Sequence, residues 1–179
     1  MINLIIVVLS VVLPLLHLRL SRAPVTKLRV VRLLLVYAFA FDIGVIGFLL
    51  GFIPHVFFPD EAADRIGWAR GSPFEFEVGF HDGAWGILGF LCIWFGGLFW
   101  YATGVGWSFF LIGATYGHIR EALQQGNFAP YNFLTIFSDG FIAIWLLLLL
   151  VLHHRWAGEL EPIARGSPRI SEPEQRPRA

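Results

Sequence analysis

Five side chains in this sequence have the types and spacing for chemistry inside apolar surroundings. Glu77 and His81 stand four apart in "GSPFEFEVGFHDG", residues 71–83. His118 and Glu121 stand three apart in "GATYGHIREALQQGN" and share a helical face with Thr115 and Gln125. Asp139 lies in "YNFLTIFSDGFIAIW", on one face with Asn132 and Thr135. Spacings of three and four put each group on one side of its helix. Imidazole with carboxylate is a ligand set for a divalent metal such as zinc, iron or manganese. The same groups bind or move a proton or a small polar solute. Glu-x-x-x-His and His-x-x-Glu are similar to the inward donors of helical-bundle metal sites, although di-iron bundles use Glu-x-x-His. A third use is structural, a polar network that holds helices in register.

The elements that position these groups are membrane spans. The chain is 56% hydrophobic and only 15% charged, with mean hydropathy +0.67. A soluble domain is about one quarter charged. A spanning helix needs about 20 mostly apolar residues. Five segments come close: Ile2 to about Leu18, Val30 to Ile53, Phe74 to about Phe95, Leu98 to about Ala122, and about Phe133 to Leu152. The expected fold is all-α, an integral membrane bundle of about five helices. Residues 1–156 form its single domain, and 157–179 a disordered cytoplasmic tail rich in proline and charge. The first segment reads as a retained span, because no basic residue precedes its core and no small-x-small cleavage site follows.

Basic residues set the orientation. Arg19, Arg22, Lys27, Arg29 and Arg32 crowd the first connection, and the tail carries five more arginines from Arg155 to Arg178. The longer connections on the other side, 54–73 and about 123–132, hold only Arg65 and Arg70. The N-terminus is therefore expected outside and the C-terminus inside, in a multi-pass protein of the cell inner membrane. A short helix starting at Pro59 or Asp60 is expected on the outer surface, with Phe57, Phe58 and Trp68 at headgroup level. In this topology His81, His118 and Asp139 all fall about 6–10 Å below the outer boundary, counted at 1.5 Å per residue. Asp42 lies deeper, near the midplane. A charge at mid-membrane costs roughly 2.5–3.5 kcal/mol, so these groups must find a metal, one another, or water in a cavity.

Other polar residues have local explanations. Ser72-Pro73-Phe74-Glu75 is a helix-start pattern, with Ser72 as N-cap and Glu75 closing a capping box. Asp82 falls near the stripe Gly79, Gly83, Gly86, Gly89, which admits a close neighbouring helix; there it bonds to that helix or to water. Cys92 is the single cysteine, so no intramolecular disulfide and no CxxC site is possible. His153 and His154 sit at the inner end of the last span, facing headgroups. No phosphate loop, nucleophile elbow or HExxH motif is present, and zero net charge points to no nucleic-acid partner. The partners expected are the lipid bilayer and either a second copy or another membrane subunit.

With "GSPFEFEVGF", "GHIREALQQGNFAP" and the following Asp139, residues of about 60 to 150 resemble an uncharacterised family of small bacterial polytopic membrane proteins, a domain of unknown function. The resemblance implies a polytopic membrane protein and carries no activity with it. Glu77, His118, Glu121 and Asp139 fit the family pattern. His81 and Asp82 stand where uncharged residues are usual, and Tyr131 where glycine is usual. A metal site, a proton or solute site, and an accessory subunit with a purely structural network all remain open.

Overall fold

The structure, a computed structural model, describes residues 2–158, which form helices and no strand. α1 is Ile2–Leu20, and α2 is the continuous helix Lys27–Phe57. α3 is Pro59–Ile66, α4 is Phe74–Leu91, α5 is Leu98–Gln125 and α6 is Pro130–Gly158. The tail expected at 157–179 lies outside the described residues, apart from its first two, which continue α6.

Four helices, α1, α2, α5 and α6, are long and apolar enough to cross a membrane. The third expected span, α4, is not among them, because Glu75, Glu77 and Asp82 interrupt its 18 residues. Large apolar side chains cover the outside of the bundle: Phe109 is 80% exposed and Ile144 70%. Such a surface suits a lipid surround and not water.

α4 packs chiefly on α2, α5 pairs with α6, and α1 lies against α2 and α6. The α2–α4 contact is made by glycine on both sides. A Cβ at Gly47 would come within 2.7 Å of the Asp82 carbonyl, and one at Gly86 within 2.5 Å of the Phe48 backbone nitrogen. With no Cβ in the way, the two backbones touch, and dispersion between them replaces side-chain packing. The stripe Gly79, Gly83, Gly86, Gly89 is buried along this seam, as the sequence spacing expects.

Within α2, Phe39–Phe52 is wound as a π-helix, and at its end the Ile53 N–H bonds to the Phe48 carbonyl five residues back. π-winding is rare and usually one turn long. An apolar run shows that a segment is buried, not how tightly its backbone coils, so nothing in the sequence announces this stretch. The turn between α4 and α5 closes at Gly97, whose φ of 63° favours a residue without Cβ. α3 starts at Pro59 and stops at Gly67, φ 83°. Just beyond it, Arg70 Nε donates to Asp64 at 2.7 Å, and this guanidinium holds the Asp64 carboxyl below its usual range. The pair is exposed and contributes little to stability.

The central helix is α6. Its buried face runs Asn132, Thr135, Asp139, Ile142, Leu146, Leu149, alternating steps of three and four. The second half of that face is apolar and packs with Leu35, Phe39, Ile43 and Trp107 into the core. The first half is polar. α5 matches it: Trp100, Thr103, Trp107 and Leu111 are buried, but between Leu111 and the buried Ala122 its facing residues are only half-buried. A polar face on one helix and a withdrawn face on the next leave space between them.

Candidate functional site

That space is a cavity of about 460 Å³, at the end of the bundle where α2 finishes and α6 begins. α2 contributes His55, α4 Asp82, α5 His118 and Glu121, and α6 Tyr131, Thr135 and Asp139. Trp68, Trp107 and Phe110 supply aromatic walls, and Asn3 of α1 closes one side. Three of the five residues singled out from the sequence, His118, Glu121 and Asp139, thus line one cavity.

Glu77 is exposed and does not line the cavity. His81 is not part of the lining either. Its Nδ1 pairs with Asp82 Oδ1 at 3.1 Å, its Nε2 accepts from Trp85 Nε1 at 3.0 Å, and its ring packs on Phe110 at 4.3 Å between centroids. A spacing of four places two residues on one side of α4, but the rotation of α4 against α2 decides which side meets the cavity. The glycine seam fixes that rotation, and it turns Glu77 outward. Among the described residues, no three His, Cys, Asp or Glu side chains come together closely enough to hold a metal ion. The zinc, iron or manganese set, one of the three uses open to these groups, is therefore not assembled among the described residues.

The capping box is also corrected. Ser72 does cap in part, its hydroxyl accepting from the Phe74 N–H at 3.3 Å. The Glu75 carboxylate does not reach back to it. It turns inward, 2% exposed, and accepts from His55 Nδ1. The pair ties the end of α2 to the start of α4, and Glu75 Oε1 has no protein partner. A local hydrogen bond at a helix start lost to a tertiary one, because the buried imidazole offers the carboxylate a charge-assisted bond away from bulk solvent. His55 was not foreseen. The signal was available: it stands four residues after Gly51, on the side of α2 that meets α4.

His118 is held in one tautomer. Asn132 Nδ2 donates to the carbonyls of Asn127 (2.9 Å) and His118 (3.4 Å). Its Oδ1 must then be the acceptor, and it takes a bond from His118 Nδ1–H at 2.6 Å. In neutral His118 the Nε2 lone pair is left for a partner other than Asn132. Asp139 is 6% exposed and receives only a long 3.4 Å bond from neighbouring Ser138. Two further groups on the lining are buried without partners, the acceptor Asn3 Oδ1 and the donor Trp107 Nε1. Buried polar atoms are rarely left unpaired unless water or a ligand meets them.

Asp42 stands apart, fully buried in the π-wound stretch, where Ser10 of α1 is its partner at 2.9 Å and Oδ1 has none. At the opposite end of the bundle His153 Nδ1 shares a hydrogen bond with the Tyr101 hydroxyl at 2.9 Å.

The fold and site thus define a protein whose described residues are all-helical, with four membrane-length helices and, at one end, a largely apolar cavity that carries a few polar groups. The chain belongs to the family described as "Family of unknown function (DUF6790)", which matches residues 1–159. The match extends beyond both ends of the segment whose motifs carry the resemblance. Comparison with curated proteins and with solved structures found no match.

Proposed function

We propose that this chain is a five-span inner-membrane protein whose cavity opens to the outside and binds a small polar solute carrying positive charge. α4 is the remaining one of the five crossings, third in chain order: its glycine face is sealed on α2, and Glu75 is hydrogen-bonded to His55. The N-terminus is outside and the C-terminus inside, on the distribution of arginine and lysine. The observation that carries the reading is the lining itself. Asp82, Glu121 and Asp139 offer three carboxyl groups against one guanidinium, Arg120, and Asp139 has no cationic partner. Aromatic faces beside carboxylates are the surroundings that recognise an ammonium group, and about 460 Å³ is within the usual size of a ligand pocket.

The test is binding by the purified protein in detergent, with butylammonium, butyrate and butanol as four-carbon probes of similar size. Butylammonium is expected to bind and the other two not. Asp139→Asn should weaken it at least about tenfold while the protein stays folded. Glu77→Gln, outside the cavity, should leave it unchanged. Equal binding of all three probes, or none of butylammonium, would sink the reading.

A structural role is supported by one observation, that His118–Asn132 and His55–Glu75 each join two helices. Under that alternative Asp139→Asn would change stability and no probe would bind. The topology is checked separately. A cysteine placed in 54–73 or 123–132 should react with an impermeant maleimide in intact cells, and one in the tail should not. The reverse pattern would put the cavity on the inside.

A further inference from the structure

A second concavity lies at the other end of α2, where nothing in the cavity's chemistry reaches. It is a groove of about 500 Å³ between the first turns of α2 and the α4–α5 turn. Arg29 and Arg32 line it together with Thr26, the N-cap of α2. Beside them stand apolar side chains, Leu33 and Val36 on one side, Ile93 and Trp94 on the other. The two arginines differ in a useful way. Arg29 is held in place, its guanidinium donating to the carbonyls of Ala23 and Pro24 and to Ser21 Oγ. None of those acceptors is charged, so its charge is positioned but not neutralised. Arg32 is exposed and makes no hydrogen bond or ion pair among the described residues. Among the described residues that meet at this end, 2–41, 83–120 and 140–158, none is Asp or Glu. The free N–H groups of the α2 N-terminus add to the positive field.

A fixed guanidinium, a free one beside it, an N-capped helix start and an apolar trough below make a site with two chemistries in sequence. The first suits a phosphodiester, which takes charge-assisted bonds from arginine. The second suits an acyl chain. We propose that this groove binds an anionic phospholipid, its phosphate between Arg29 and Arg32 and one acyl chain along Val36, Ile93 and Trp94. A basic end alone would attract anionic lipid diffusely. The groove makes the stronger claim of one lipid in one place, holding the α4–α5 turn to α2.

Full-length protein, stripped of lipid in detergent, would be titrated with phosphatidylglycerol or phosphatidylcholine and the retained lipid counted by native mass spectrometry. One phosphatidylglycerol is expected to be retained in preference to phosphatidylcholine. Arg32→Gln should lower that preference about fivefold; its unfolding temperature should not move, since the side chain bonds nothing among the described residues. Arg19→Gln, in the same connection but outside the groove, should not change retention. Val36→Trp should lower retention with every charge intact by filling the trough. Soluble glycerol 1-phosphate should not displace the lipid. The proposal is overturned by equal retention of the two lipids, or by Arg19→Gln acting as strongly as Arg32→Gln. Unchanged retention in Val36→Trp, or displacement by glycerol 1-phosphate, would overturn it equally.

Discussion

His55→Ala should destabilise the protein by about 3–5 kcal/mol, the usual cost of leaving one member of a buried ion pair without its partner. Glu75 is 2% exposed and its other oxygen has no protein partner, so no second side chain takes over from the imidazole. Glu75→Gln should cost less, about 1–3 kcal/mol, because the amide keeps the shape and can still accept a bond. The informative variant is the double replacement His55→Leu with Glu75→Leu. Apolar residues of similar volume often substitute for a buried pair at little cost, so the double variant should recover most of the stability that His55→Ala loses. Thermal unfolding in detergent measures all three. A His55→Ala protein as stable as the parent would mean that the pair contributes nothing to holding α2 on α4.

Gly86→Leu should be about as damaging, with a loss of about 3 kcal/mol or more, at the upper end for overpacking. The first new atom would stand 2.5 Å from the Phe48 nitrogen, which belongs to backbone and cannot rotate away. Separating α2 from α4 by the width of a side chain would break contacts along the whole seam. Gly113→Leu is the comparison. Nothing lies within 4 Å of a Cβ there, and leucine is the better helix former, so its stability should stay within about 0.5 kcal/mol of the parent. Similar unfolding temperatures for the two variants would show that the glycine seam is not tight.

These two sites show where sequence reading succeeded and where it stopped. The glycine stripe on α4 was legible because a spacing of three and four is a property of one helix alone. So was the polar face Asn132, Thr135, Asp139, for the same reason, and His118 with Glu121 beside it. What the sequence could not supply was the rotation of one helix against another. Glu77 and Glu75 differ by two positions, a turn of about 200° around the axis. Only the α2–α4 seam decides that Glu75 faces protein and Glu77 does not. Glu75 also had a sufficient local explanation as a capping residue, which hid the tertiary one. His55 fell in a stretch read as an outer connection, because hydropathy drops there while the helix continues to Phe57.

The acidity of α4 bears on how the molecule is assembled. Three carboxylates in 18 residues make this helix a poor candidate for release into lipid by itself. As the third crossing in chain order, α4 would enter the bilayer only once a surface exists that hides Glu75 and accepts its glycines, and α2 is that surface. It precedes α4 in the chain, so it is already made when α4 leaves the ribosome. α5 follows after a turn of a few residues at Gly96 and Gly97 and is apolar enough to be retained. With the α4–α5 turn on the inner side, biogenesis would then be ordered: α2 and α4 inserted as one hairpin with α3 at its outer tip, then α5 and α6 as a second. A nascent chain ending before α4 would leave the glycine face of α2 without its partner, exposed to the quality-control proteases that remove unassembled membrane segments.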